Sequence, residues 1–164
     1  MRVRHRHPRK SDRRRWLAAA AALAVLATGT TVWVVTRGPR IVIPDDPCAT
    51  APPLVTFEGV RLQPLAMTAF RAARSQAGRP IPVVESYRSC AEQRKACLGI
   101  CGNAGGCSGT CAPPGKSWHQ LGAAIDITQA GLNNRLIVGA LEDNGWCESV
   151  PASDPGHFSF GGCH

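Results

Sequence analysis

Three regimes of hydrophobic patterning divide the chain. From Trp16 to Val35 the residues are apolar or small and none is charged. That length matches the roughly 20 residues a helix needs to cross a bilayer. Arg37 to Pro47 mixes proline and charge without an apolar period and reads as a tether. Beyond Cys48 the pattern is that of a folded domain. Pro64 to Ala77 is rich in helix formers, with Leu65, Ala69, Phe70 and Ala73 able to share one face, and Pro64 suits a first helical position. Gly78-Arg79-Pro80 stops it. Ile81 to Tyr87 is β-prone, its prolines favouring a strand start or an edge. Ser89 and Glu92 have capping-box spacing, opening a helix that reaches about Leu98. A loop rich in Gly, Pro and Cys follows over 99–116. His119 then lies near a turn at Gly122, and Ala123 to Ile127 reads as a short buried strand. Leu132 to Asp143 reads as a helix with Asn144-Gly145 as its C-terminal cap. His157 to Phe160 alternates and closes the sheet. The predicted class is α+β: helices packed on a small antiparallel sheet, disulfide-stabilised, preceded by one transmembrane helix.

Charge sharpens this division. Of the 19 Lys and Arg residues, eight lie in residues 1–15 against one Asp. The remaining chain is nearly neutral, so the basic balance describes a tail and offers no face for nucleic acid. With Arg13-Arg14-Arg15 directly before the apolar run, the positive-inside rule keeps residues 1–15 cytoplasmic and exports the rest. Residues 16–35 are read as an anchor, 36–47 as a linker and 48–164 as an extracytoplasmic domain in a single-pass arrangement at the cell membrane. A cleaved signal peptide with secretion is the alternative, but no clean A-x-A site ends the run.

Candidate chemistry concentrates in two stretches. Ser117-Trp118-His119-Gln120-Leu121-Gly122-Ala123-Ala124-Ile125-Asp126 carries a histidine and a carboxylate seven positions apart. Asp154-Pro155-Gly156-His157-Phe158 carries a second histidine and a second carboxylate. His119, Asp126 and His157 are a three-ligand set of the kind that holds a catalytic zinc with one position open. Asp154 stands where it can take a proton from the attacking water. On a strand, Asp126 and Ile125 point to opposite faces, so one can meet a metal while the other packs. Beyond the tail only His164 joins these two histidines, which makes their placement informative.

The ordered motifs S-x-H-x-x-G-x-A-x-D and acidic-x-x-H resemble those of the zinc D-alanyl-D-alanine carboxypeptidases. That peptidoglycan metallopeptidase family includes vancomycin-resistance enzymes and phage endolysins. Glu85-Ser86-Tyr87-Arg88-Ser89-Cys90-Ala91-Glu92-Gln93 looks like the family's S-G-Y-R-S-x-x-x-Q segment, with Glu85-Ser86 where Ser-Gly is common. The resemblance covers roughly residues 48–164. It implies zinc as cofactor, a peptidoglycan stem peptide as substrate, and Asp154 as general base. It also implies that Arg88 holds the substrate and the developing oxyanion, and that Gln93 and Ser117 lie on the substrate side. For Arg88 an ion pair with Glu85 or Glu92 is the competing reading; for Gln93 a solvated helix position; for Ser117 a turn role. Many relatives carry Glu where Asp154 stands, and the endopeptidase branch carries Asp. The expectation is therefore a D-Ala-D-Ala carboxypeptidase, with an L-Ala-D-Glu-type endopeptidase or a non-catalytic binding module as alternatives. Gly156 replaces a usual aromatic and is expected to open one wall of the pocket.

All eight cysteines fall at or after Cys48, as expected of a disulfide-bonded exported domain. Cys97-x3-Cys101 with Cys107-x3-Cys111 also allows a four-thiolate zinc site, but export favours disulfides. Cys90, Cys97 and Cys101 share roughly one helical face and are expected to reach Cys107, Cys111 and Cys48. Cys147 and Cys163, flanking Asp154 and His157, are the expected fourth pair.

Overall fold

A computed structural model describes residues 40–107, 111–150 and 152–162. The tail and the apolar run at 16–35 lie outside them; among the described residues no helix is long and apolar enough to cross a membrane.

Helix α1 (Pro64–Ala77) starts and stops where its sequence dictates. Pro64 occupies the first turn, where a missing N–H costs nothing, and Gly78 ends the helix in the left-handed region at φ 65°. The buried stripe is Ala66, Met67, Phe70, Ala73 and Ala77. It is rotated from the expected face: Leu65 and Ala69 flank the core. In an alanine-rich helix neighbouring stripes are nearly equivalent, and the larger Met67 and Phe70 decide which one turns inward. Helix α2 (Cys90–Cys101) carries the expected capping box: Ser89 Oγ accepts from the Glu92 N–H, and Glu92 accepts from the Ser89 N–H at 2.6 Å. It runs one turn past Leu98 to Gly102, at φ 67°. A short α3 (Gln129–Leu132), capped by Thr128, precedes α4 (Arg135–Asp143), capped by Asn134. The single helix expected over 132–143 is thus two, because Asn133-Asn134 caps more readily than it continues.

The strands are β1 (Val55–Phe57), β2 (Val60–Leu62), β3 (Val83–Glu85), β4 (Ala124–Ile127), β5 (Trp146–Glu148) and β6 (His157–Phe160). β1 and β2 form a separate hairpin. The other four make one antiparallel sheet in the order β3-β4-β6-β5. So β6, expected to close the sheet, lies inside it, and β5, which periodicity left unmarked, forms one edge.

The core lies between the helices and one face of this sheet. Phe70 and Trp146 are essentially fully buried and meet edge to face, centroids 6.5 Å apart. Each such aromatic contributes about 1.5–3 kcal/mol by leaving water. On β4, Ala124 and Ile125 have no exposed surface while Asp126 is half-buried, so the strand's alternation splits core from site as expected. Within the segment read as a tether, the Val42 N–H donates to Gln63 Oε1 at 2.7 Å, and the Val42 carbonyl accepts from Gln63 Nε2 at 2.6 Å.

Three disulfides join Cys48 to Cys90, Cys97 to Cys111 and Cys101 to Cys107. The three α2 cysteines therefore reach the three partners expected of them, and no thiolate zinc site forms from these six. Cys147 is disulfide-bonded too; its expected partner, Cys163, lies outside the described residues.

Candidate metal centre

Register delivers two of the three expected ligands. Asp126 on β4 stands directly opposite His157 on β6, and residues facing each other across an antiparallel pair share one side of the sheet. Asp126 Oδ1 is consequently 2.8 Å from His157 Nδ1. His119 comes from a tight turn between α2 and β4, where the Gly122 N–H donates to the His119 carbonyl at 3.0 Å. Gly122 sits at φ 62°, and a Cβ there would meet Leu54 Cδ2 at 2.7 Å. Only glycine suits that bend.

The His119 ring is fixed from behind. Its Nδ1 lies 2.6 Å from the Ser86 main-chain oxygen, which can only accept. Nδ1 therefore carries the proton, and Nε2 presents its lone pair to the centre. The clamp is mutual: the Arg88 N–H donates to the His119 carbonyl at 3.2 Å. His119 Nε2 stands 3.2 Å from His157 Nδ1 and 3.3 Å from Asp126 Oδ1.

These separations suit a metal. Zinc bound tetrahedrally at about 2.0–2.2 Å sets neighbouring donor atoms about 3.3 Å apart. The three pairs stand at 2.8, 3.2 and 3.3 Å. Two imidazole nitrogens and a carboxylate are also a donor set zinc favours. Burial pushes the Asp126 carboxyl up, but the two imidazoles of His119 and His157 against it outweigh this and hold the group well below the usual carboxylate range. Asp126 is thus ready as an anionic ligand.

The centre opens into a cavity of about 900 Å³. Asp154 lines it with its side chain 57% exposed, Oδ2 lying 3.9 Å from His157 Nδ1. Arg88 lines it as well, and its side chain makes the ion pair with Glu85 that is the competing reading of the sequence. Its Nε donates to Glu85 Oε1 at 2.6 Å, an Nη closes a second bond to Glu85 Oε2, and the other Nη donates to Gln93 Oε1 at 2.8 Å. Burial lowers the guanidinium pKa, yet the Glu85 hydrogen bond and charge leave it raised. Glu92 is instead spent on the α2 cap.

Gln93 is buried, not solvated. Its Nε2 donates to the Ala112 carbonyl at 2.8 Å, so its amide links Arg88 to the loop held by Cys97–Cys111. Ser117 Oγ accepts from the His119 N–H at 3.3 Å, which is the turn role, although the residue also lines the cavity. Gly156 does not open the pocket wall. At φ 91°, a Cβ there would meet the Ile127 main-chain oxygen at 2.8 Å, on the sheet side. Glycine is needed for that backbone approach, and Gly156 carries no side chain toward the cavity.

Sequence reasoning named Glu85 as one of two partners open to Arg88, and the structure selects it over Glu92. It missed Ser86 as the support of His119, because a main-chain carbonyl leaves no sequence signal.

An α+β domain with two histidines and an aspartate converging beside an arginine defines the class of zinc peptidases. The model of the family described as "VanY: D-alanyl-D-alanine carboxypeptidase" matches residues 62–150, just over half the chain. The chain belongs to that family. The match includes Arg88, Gln93, Ser117, His119 and Asp126 and ends before Asp154 and His157. Among solved structures, VanYB in complex with D-alanine-D-alanine is 19% identical, with a TM-score of 0.52, covering 68% of this chain and 78% of that chain. A variant of the vancomycin-resistance D,D-pentapeptidase VanY from a VanB-type cassette, in complex with Zn(II), is 22% identical with a TM-score of 0.51. It covers 68% of this chain and 79% of that chain. At these identities the likeness establishes the fold. No curated protein sequence matches the chain significantly.

Proposed function

We propose that this chain is a zinc-dependent D-Ala-D-Ala carboxypeptidase acting on peptidoglycan stem peptides. The observation that carries the reading is the convergence of His119 Nε2, His157 Nδ1 and Asp126 Oδ1 at 2.8–3.3 Å beside Asp154 and Arg88. His119, Asp126 and His157 would hold the zinc, which supplies Lewis-acid polarisation of the scissile carbonyl and acidifies water. Asp154, exposed at the cavity wall, takes the proton of the attacking water and returns it to the leaving amine. Arg88 keeps two of its five N–H donors free after serving Glu85 and Gln93. Those donors face charge developing on the carbonyl oxygen. Gln93 and Ser117 act behind this front, one holding Arg88 and the other the His119 turn.

The domain is inferred to work outside the cytoplasmic membrane, anchored by residues 16–35. Support comes from the charge-free run after Arg13-Arg14-Arg15 and from three disulfides, which persist in oxidising compartments. Protease digestion of intact cells should remove the domain and spare the tail.

The full chain, loaded with zinc, should release D-Ala from a muropeptide ending in D-Ala-D-Ala, lose this with chelator and regain it with zinc. Cleavage at an inner bond alone would move the assignment to an endopeptidase. No cleavage of any stem peptide by zinc-loaded protein would remove the peptidase reading.

A further inference from the structure

Two basic side chains line the cavity beside the histidine pair, Arg88 and Lys116, and they are in opposite states. Arg88 has given the fork formed by Nε and one Nη to Glu85. That fork is the geometry by which a guanidinium takes a carboxylate in two parallel bonds. With Glu85 filling it, that edge of Arg88 is closed to a substrate carboxylate, and one Nη donor is further committed to Gln93.

Lys116 is exposed, and its ammonium makes no hydrogen bond or ion pair with any described residue. Its backbone, however, is held. The Lys116 N–H donates to the Pro113 carbonyl at 2.9 Å, and the Gly115 N–H donates to Gln120 Oε1 at 2.7 Å. Ser117, the next residue, is buried, and Cys111 ties the start of this segment to α2. A free cation on a held backbone is a different object from a lysine on a mobile loop, because less freedom is lost when it pairs.

The rest of the cavity makes this cation matter. Glu85, Asp126 and Asp154 give the wall three carboxylates. A peptide approaching with a free carboxylate is repelled by Asp154, whose side chain is the most exposed of the three. Asp126 would be opposed by the zinc and Glu85 is paired by Arg88, so Asp154 is the carboxylate left for a nearby cation to offset. Among the described lining residues, Lys116 is the one cation not already paired.

We propose that Lys116 recognises the free chain-terminal carboxylate of the substrate, leaving Arg88, tethered by Glu85, to the carbonyl oxygen. The inference rests on the peptidase reading above and names the feature that would make the enzyme prefer a chain end over an inner bond. The full zinc-loaded chain is to be given one D-Ala-D-Ala-terminated peptide as free acid and as C-terminal amide. Dissociation constants and kcat/KM are both read. Wild type should prefer the acid by about tenfold, the scale of one charge-assisted contact. Lys116→Met should abolish that preference through weaker binding and higher KM for the acid alone, with kcat little changed. Lys116→Arg should keep it and Lys116→Glu should reverse it. An acid-to-amide ratio unchanged in Lys116→Met overturns the proposal, as does a wild type that binds both forms equally or neither. If wild type hydrolyses neither form, the peptidase reading falls, and the dissociation constants alone decide the role of Lys116.

Discussion

The side chain of His119 is anchored by a main-chain atom of the segment that carries the arginine: its Nδ1 sits 2.6 Å from the Ser86 oxygen. One hydrogen bond therefore selects the tautomer and aims Nε2 at Asp126. Replacing His119 with Ala should abolish stoichiometric zinc. The loss in affinity should exceed the roughly 10–100-fold typical of disturbing an outer partner alone. Metal content by mass spectrometry after gel filtration measures it. Zinc retained at one equivalent would separate His119 from the centre.

Asp154 is more than half exposed and its carboxylate makes no close contact needed for folding. Asp154→Asn should keep zinc and thermal stability while lowering kcat by about 10²–10⁴, the range of a general base. D-Ala release and a melting curve on the same preparation make the comparison. A matching fall in melting temperature would point to a structural turn role instead.

Gly156 holds φ at 91° with its backbone against the Ile127 oxygen. Gly156→Ala should destabilise the domain by about 1–3 kcal/mol, from the disfavoured backbone region and the close approach. Because His157 follows directly, zinc retention should fall as well. Urea unfolding reads the first and metal content the second. An unchanged urea midpoint would contradict the packing argument.

The cap of α2 has a predictable pH signature. Main-chain and then side-chain hydrogen bonding at Ser89 hold the Glu92 carboxyl below its ordinary 4.5. A depressed folded-state pKa adds stability that is fully present above the unfolded value and is lost as pH falls through the folded one. Wild type should thus exceed Glu92→Gln in stability by a constant margin down to about pH 4.5, with the margin shrinking below it. Ser89→Ala should cost about 1 kcal/mol at neutral pH. Urea midpoints across pH 3–7 test both, and a margin that grows on acidification would refute the cap account.

Much of the fold was legible because it is local. The Pro64 start, the Ser89–Glu92 box and the Gly122 turn depend on residues within four positions of one another, and each formed where expected. The hairpin of β1 and β2 left a weaker signal: Glu58-Gly59, both at positive φ, is a two-residue turn without the usual Asn or Asp. β5 is three residues long, too short for any period. Gln93 was legible as a family position but not as a buried link, since its partners Arg88 and Ala112 come from either side of it in sequence.

By itself the sequence determined the helix caps, the alternation that turns Asp126 away from the core, and the identity of the residues able to bind zinc. Each follows from backbone chemistry or from ligand type over short spans. Only the tertiary structure decided that β6 inserts between β4 and β5. That insertion sets His157 opposite Asp126, 31 positions away along the chain. The tertiary structure likewise gave the Arg88 fork to Glu85. Strand order and side-chain competition are settled by which surfaces can be buried together, and no local pattern encodes that sum.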